Sequence, residues 1–182
     1  MATPIDPASL LTTASTLAHV GPYEITDDPG RVDLGVVHAF LSRESYWRGG
    51  VSREVVERSV RWSLPLSVHL ATSTPTMVGF VRVVTDTVTH AWLDDLFVVR
   101  EHRGRGIGGA LVEAALGHPS VASAAMQLLL TADAHGLYAR HGFRPFPDPH
   151  LGPGLLGTLA DRLRQRVHGS RRGVVDDRNL RA

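Results

Sequence analysis

The sequence predicts a single α+β domain whose elements run β-α-α-β-β-β-α-β-α. Two observations carry that prediction. From Trp92 to Val99 the residues are apolar or β-branched apart from Asp94 and Asp95; Gly104, Gly106, Gly108 and Gly109 then follow among arginines, and Ile107, Leu111, Ala114 and Ala115 recur at helical spacing. That stretch reads as strand, glycine turn, helix. Upstream of it, two helical patterns are followed by consecutive short strands. At 182 residues and 43% hydrophobic, the chain is long enough for one domain with a proper core.

Taken in order, residues 1–20 are expected to be a loosely ordered leader. Pro4, Asp6 and Pro7 interrupt any apolar segment and no arginine lies near Met1, so a secretory signal is not expected. No apolar run approaches the length that spans a bilayer. Tyr23–Thr26 alternates like a first strand and is broken by Asp27-Asp28-Pro29-Gly30. Val32, Val36, Val37, Phe40 and Leu41 then share a helical face, with Asp28 or Asp33 as N-cap. Ser52 reads as the cap of a second helix, with Glu54 in its first turn and Val56, Val60 and Leu64 as its apolar face. Ser67–Ala71, Val78–Val84 and Trp92–Val99 read as strands, the last two joined by a turn around Asp86. Met126–Thr131 is a further short apolar strand. Past Phe143 the prolines at 145, 147 and 149 cannot lie in a central strand. Leu155, Leu156, Leu159 and Leu163 are helically spaced, which predicts a short helix and no closing strand. The domain is therefore placed at residues 21–160, with an arginine-rich tail at 161–182.

Composition removes several function classes. The 19 basic residues are all arginine and stand against 18 acidic ones, so a net charge of +1 does not argue for nucleic acid. Without cysteine there is neither a disulfide framework nor thiol catalysis, which fits a cytoplasmic protein. Ten histidines show no metal-ligand spacing, so no metal is expected.

Four glycines within six residues need a reason, because glycine inside an element costs roughly 0.5–1 kcal/mol relative to alanine. Close approach of a ligand to backbone N–H groups supplies one. A helix N-terminus presents unpaired N–H groups and about half a positive charge, so it binds phosphate. Arg103 and Arg105 add charge there. A Walker loop needs lysine, which the chain lacks. Gly104-Arg105-Gly106-Ile107-Gly108-Gly109 formally fits the dinucleotide pattern G-x-G-x-x-G, but the polar run Arg100-Glu101-His102-Arg103 separates it from its strand.

Arg103-Gly104-Arg105-Gly106-Ile107-Gly108 resembles the pyrophosphate loop of the GNAT superfamily of N-acetyltransferases, R/Q-x-x-G-x-G/A after a strand ending in L-[FY]-V. Downstream, Ala134-His135-Gly136-Leu137-Tyr138-Ala139-Arg140-His141-Gly142-Phe143 is similar to that family's A-x-x-L-Y-x-x-x-G-F helix. The two motifs cover roughly residues 78 to 146. The resemblance implies a mixed, mostly antiparallel central sheet flanked by helices. Within it a parallel strand pair, here Trp92–Val99 and Met126–Thr131, splays apart to admit acetyl-CoA.

By the same resemblance acetyl-CoA is the co-substrate. Its pyrophosphate would meet the N–H groups of Arg103, Gly104, Arg105, Gly106, Ile107, Gly108 and Gly109. Its pantetheine would pair with the backbone of Phe97, Val98 and Val99 and meet Thr131, where the family often has asparagine. The Val98 N–H is the candidate contact for the thioester carbonyl. Tyr138 resembles the tyrosine that protonates the leaving sulfur, with an ordinary packing residue as the rival reading. Strand alternation sends Asp94 and Asp95 to opposite faces, so only one faces a given substrate. By analogy with polyamine acetyltransferases of the superfamily, Asp94 is the base and Asp95 attracts a cationic acceptor or holds the loop; pairing with arginines is the rival. Tyr46, Trp47 and His135 are candidates for binding a small-molecule or peptide amine. The expected activity is direct acetyl transfer to a primary amine in a ternary complex. A silent acetyl-CoA sensor stays open as the alternative, with a nucleotide-dependent oxidoreductase remoter still. No membrane partner is expected, and a homodimer is left open.

Overall fold

A computed structural model describes residues 11–145 and 155–159. Its strands are β1 (Thr16–Val20), β2 (Tyr23–Thr26), β3 (Leu64–Leu70), β4 (Thr76–Thr85), β5 (His90–Val98), β6 (Met126–Leu130), β7 (Arg144–Pro145) and β8 (Leu155–Leu159). They form one sheet in the order β1-β2-β3-β4-β5-β6-β8-β7. Every neighbouring pair is antiparallel except β5 and β6. The helices are α1 (Leu34–Arg43), α2 (Arg53–Arg61), α3 (Ile107–Gly117), α4 (Pro119–Ala122) and α5 (His135–Ala139). None of the described helices is long and apolar enough to cross a membrane.

Adjacent residues on a strand face opposite ways, and the two sheet faces carry separate cores. On one face Val37, Phe40 and Leu41 of α1 and Val56 and Val60 of α2 pack with Met77, Phe80 and Phe97. On the other, Ile107, Leu111, Val112 and Ala115 of α3 pack with Leu66, Val68, Val81, Val83 and Leu93. Both early helices begin as their sequences predict. Asp33 caps α1 by accepting from Gly35 N and Val36 N, and Ser52 caps α2 by accepting from Val55 N. Asp28 instead caps a 3-10 turn at Pro29–Arg31.

Three expectations need correction. Thr16–Val20 is not part of a loose leader but the edge strand β1, with Leu17, Ala18 and Val20 packed against the core. Asp27 secures the segment before it by accepting from Ser15 N at 2.7 Å, from Thr13 Oγ1 at 2.7 Å and from Thr13 N. Leu64 is not on the face of α2: that helix ends at Arg61, and Leu64 opens β3, fully buried. Leu155–Leu159 forms a strand rather than a helix, pairing with β6 over its length. A spacing of one and four residues is compatible with either element over so short a run, and the free edge of β6 decides in favour of the strand. The reading of the prolines after Phe143 holds for Pro145: Arg144–Pro145 pairs only as a two-residue edge strand, where a missing N–H is tolerated. Residues 1–10, 146–149 and the tail 161–182 lie outside the described residues.

Candidate active site

The parallel pair holds together for only three residues, His90–Met126, Ala91–Gln127 and Trp92–Leu128. Beyond Trp92 the strands part, and a cleft of ≈ 880 Å³ opens between them. Trp92 to Leu96 form one wall and Leu130 to His135 with Tyr138 form the other, while Tyr46, Trp47 and Arg48 reach in from the α1–α2 loop. The splay expected from the resemblance is therefore present.

The β5 wall is shaped by a bulge. Its register with β4 slips between Phe80 and Arg82, and Asp95 adopts φ +54, a left-handed conformation that aspartate tolerates better than most residues. This breaks the strict alternation that would have sent Asp94 and Asp95 to opposite faces. Instead both carboxylates meet the same two guanidiniums. Arg82 Nε donates to Asp95 Oδ2 at 2.5 Å and Arg82 Nη2 to Asp94 Oδ2. Arg48 donates from Nε to Asp95 Oδ1 at 3.2 Å and from Nη2 to Asp94 Oδ2 at 3.1 Å. Trp47 Nε1 adds a bond to Asp95 Oδ1 at 3.0 Å. Two carboxylates in an apolar strand are costly alone, and here each is matched by an arginine. They differ in access: the Asp95 side chain is 2% exposed, that of Asp94 28%.

Residues 46–48 form a strap across the mouth of the splay. Trp47 and Arg48 hold the β5 wall, whereas the Tyr46 hydroxyl accepts from Ala132 N at 3.0 Å and lies 3.5 Å from Asp133 Oδ1 on the other wall. Opposite the aspartates, Tyr138 is buried and packs edge-on against Phe143. Burial pushes its phenol up to about 12, helped by the nearby Tyr46, Asp133 and Asp94, so it stays protonated at neutral pH. His135, exposed, lines the same wall. Thr131 is buried, and its Oγ1 accepts from Ala134 N at 3.0 Å, capping the turn into α5.

The far end of β5 leads through a 3-10 turn at Arg100–His102 into α3. Gly106, the N-cap of α3, has φ +80 and no side-chain cap bond, so the first N–H groups of the helix stay open. Gly104 is likewise left-handed at φ +75, and no protein atom lies within 4 Å of where a Cβ would stand on either glycine. The glycines are thus required by backbone conformation on an open face, which fits an anionic ligand at the helix N-terminus. The two arginines are engaged elsewhere: Arg103 Nε donates to Val98 O at 2.8 Å, and Arg105 Nη1 to Tyr23 Oη at 3.2 Å.

Of Phe97, Val98 and Val99, only Val98 turns its backbone groups away from β4. Val99 N donates to Val78 O at 2.9 Å, so in the antiparallel ladder Phe97 and Val99 bond toward β4 while Val98 points away. Arg48, Arg82, Trp92 and Asp133 were missed in the sequence. Arg82 was within reach of it, because a hairpin about Asp86 sets Arg82 opposite Asp94. Arg48 and Asp133 sit on loops that no periodicity places.

Comparison with known proteins identifies the class as acetyltransferase. The profile of the Acetyltransferase (GNAT) domain matches residues 65–145. A solved structure from Xanthomonas campestris pv. campestris, described as belonging to the GNAT family, is 35% identical, with a TM-score of 0.66 covering 76% of this chain and 96% of that one. A Gibberella zeae protein with a provisional acetyltransferase name, FG08082, is 27% identical over 141 residues, 66% of this chain and 78% of that protein. Rv2747 of Mycobacterium tuberculosis, solved in complex with CoA and NLQ, shares the fold at 16% identity and a TM-score of 0.55, covering 71% of this chain and 96% of that one. The chain belongs to the GNAT family of acetyltransferases. It is an acyltransferase of a family whose acyl donor is acetyl-CoA.

Proposed function

We propose that this protein transfers an acetyl group from acetyl-CoA to a primary amine directly, in a ternary complex without a covalent enzyme intermediate. The observation that carries the reading is the cleft where β5 and β6 part, with a buried protonated tyrosine on one wall and the uncapped α3 helix beyond the end of the other. Bound acetyl-CoA supplies the thioester. The N–H groups from Arg103 to Gly109 would hold its pyrophosphate, the Val98 backbone its pantetheine and acyl carbonyl, and Thr131 the opposite side of the arm. For that, the Val98 carbonyl exchanges the Arg103 side chain for the ligand's amide.

Each remaining role follows from access. Tyr138, protonated and lining the cleft, donates a proton to the departing sulfur. Asp94 is the more exposed member of its pair in the cleft, 28% against 2% for Asp95. Its Oδ2 serves two guanidiniums and its Oδ1 accepts from Asp95 N at 3.0 Å, which leaves one lone pair for the acceptor's proton, through water. Asp95 holds Trp47, Arg48 and Arg82 in place. Tyr46, Trp47 and His135 face the acceptor, and the protein works in the cytoplasm.

The test is thermal stability with acetyl-CoA, CoA, NAD and ATP in parallel, followed by thiol release across an amine panel. A ligand at about 100 times its dissociation constant adds roughly 2.7 kcal/mol to a two-state fold. The expected shift occurs with acetyl-CoA and CoA; a shift with NAD alone, or acetyl-CoA binding with no amine turned over, rejects the proposal. Asp94→Asn is expected to slow turnover most at low pH. There nearly all the amine is ammonium and a proton acceptor is needed, whereas at high pH the free base is abundant. A pH–rate profile with unchanged shape removes Asp94 as base.

A further inference from the structure

The carboxylates lining the cleft are not all compensated. Asp94 and Asp95 share Arg48 and Arg82, two negative charges against two positive. Asp133, on the opposite wall, is exposed, and among the described residues no arginine pairs with it. Among the described residues its one side-chain hydrogen bond is from the Tyr46 hydroxyl at 3.5 Å, the outer limit of such a bond and easily displaced. An ammonium or guanidinium would bind this carboxylate more strongly than the neutral phenol does.

The nitrogen that attacks the thioester must be neutral, since an ammonium has no lone pair. A carboxylate with no proton-relay partner therefore gains little from that nitrogen once it is ready to react. At the Asp94 end, Arg48 and Arg82 already neutralise both carboxylates, so a further cation gains little there. Asp133 is left as the place where a permanent positive charge on the acceptor is favoured. The rings of Tyr46, Trp47 and Trp92 line the same cleft, where they suit a short aliphatic or flat linker and add cation–π attraction.

We propose that Asp133 determines acceptor specificity, and that the acceptor carries a second positive charge, an ammonium or guanidinium distinct from the amine that is acetylated. This inference rests on the acetyl-transfer reading, and its test separates the two. Protein loaded with CoA is titrated calorimetrically with putrescine and with pentylamine, which matches it in length but lacks the second charge. Wild type, Asp133→Asn and Asp133→Glu are compared, each with an intact melting transition.

The expected result is a preference for putrescine of about tenfold or more in wild type, set by one charge-assisted contact. Asp133→Asn brings that ratio close to one, and Asp133→Glu keeps it. No preference in wild type, or a preference that survives Asp133→Asn, overturns the inference. Turnover is then measured with acetyl-CoA. A preference in binding that Asp133→Asn removes, with no amine acetylated, upholds the specificity of the site and overturns acetyl transfer. Pentylamine acetylated as efficiently as putrescine upholds transfer and overturns the role of Asp133.

Discussion

Tyr138 owes its chemistry to burial. A phenol removed from water and set near Asp94 and Asp133 holds its proton up to about 12, so it enters the reaction as a donor at any physiological pH. Tyr138→Phe keeps the ring and its packing on Phe143 but removes the proton. It is expected to lower turnover about 10²–10⁴-fold with acetyl-CoA binding retained; turnover within a few-fold of wild type, with chemistry rate-limiting, excludes the acid role. Asp95 is the contrasting case, a carboxylate whose partners are all protein. Removing it strands Arg82, itself 5% exposed, without one of its two counter-charges. Asp95→Ala is therefore expected to destabilise the fold by about 1–3 kcal/mol, the cost of leaving buried donors of Arg82 and Trp47 without their acceptor while Asp94 still offsets the Arg82 charge. Denaturant unfolding measures it, and a loss below ~1 kcal/mol contradicts that account.

At the scale of elements, β5 does most to create the site. It pairs with β4 along its length, bulges at Asp95, and leaves β6 after three residues, so one strand supplies both a sheet core and a cleft wall. The hairpin that delivers it turns on Asp86, which accepts from Val88 N at 3.0 Å, Thr89 N at 2.8 Å and His90 N at 3.1 Å. Inside that turn Thr87 sits at φ +65, unfavourable for a β-branched residue. Relieving the left-handed strain gains roughly 1–2 kcal/mol, while glycine loses about 0.5–1 kcal/mol to unfolded-state entropy. The strain term is the larger, so Thr87→Gly is expected to raise stability by up to about 1.5 kcal/mol. A lower melting temperature would show that the threonine side chain contributes more than its backbone costs.

Across the whole molecule, two paired carboxylates, Glu24 and Asp27, predict how the fold responds to acid. Arg31 bonds Glu24 of β2 at 2.6 Å and holds its carboxyl down to about 2. Asp27 links the segment before β1 to the start of α4, through His118 Nε2 at 3.2 Å. Burial works to raise its pKa, but hydrogen bonds from Thr13 and Ser15 outweigh that and lower it. A carboxyl whose folded pKa lies below its unfolded value contributes stability that is complete above the unfolded value and is lost as pH falls. The melting temperature is thus expected to hold steady near neutrality and drop as pH falls from about 4.5 toward 2. Glu24→Gln should flatten part of that drop, and an unchanged acid limb in this variant would remove Glu24 from the account.

The sequence alone determined the parts that depend on local order. Glycines at a helix start, capping residues ahead of apolar periodicity and a tyrosine in a short helical motif each act within a few residues of themselves. The glycine turn into α3, the helix caps and the order of the central elements were therefore legible. Tertiary structure decided whatever depends on pairing. β1 and β8 are strands because an open sheet edge lay beside them, which no periodicity of so few residues reveals. Asp94 and Asp95 share partners because a bulge set by register with β4 turned them together. Arg48 and Asp133 entered the cleft because loops far apart in sequence close over the same gap between strands, a proximity that exists only once the sheet has formed.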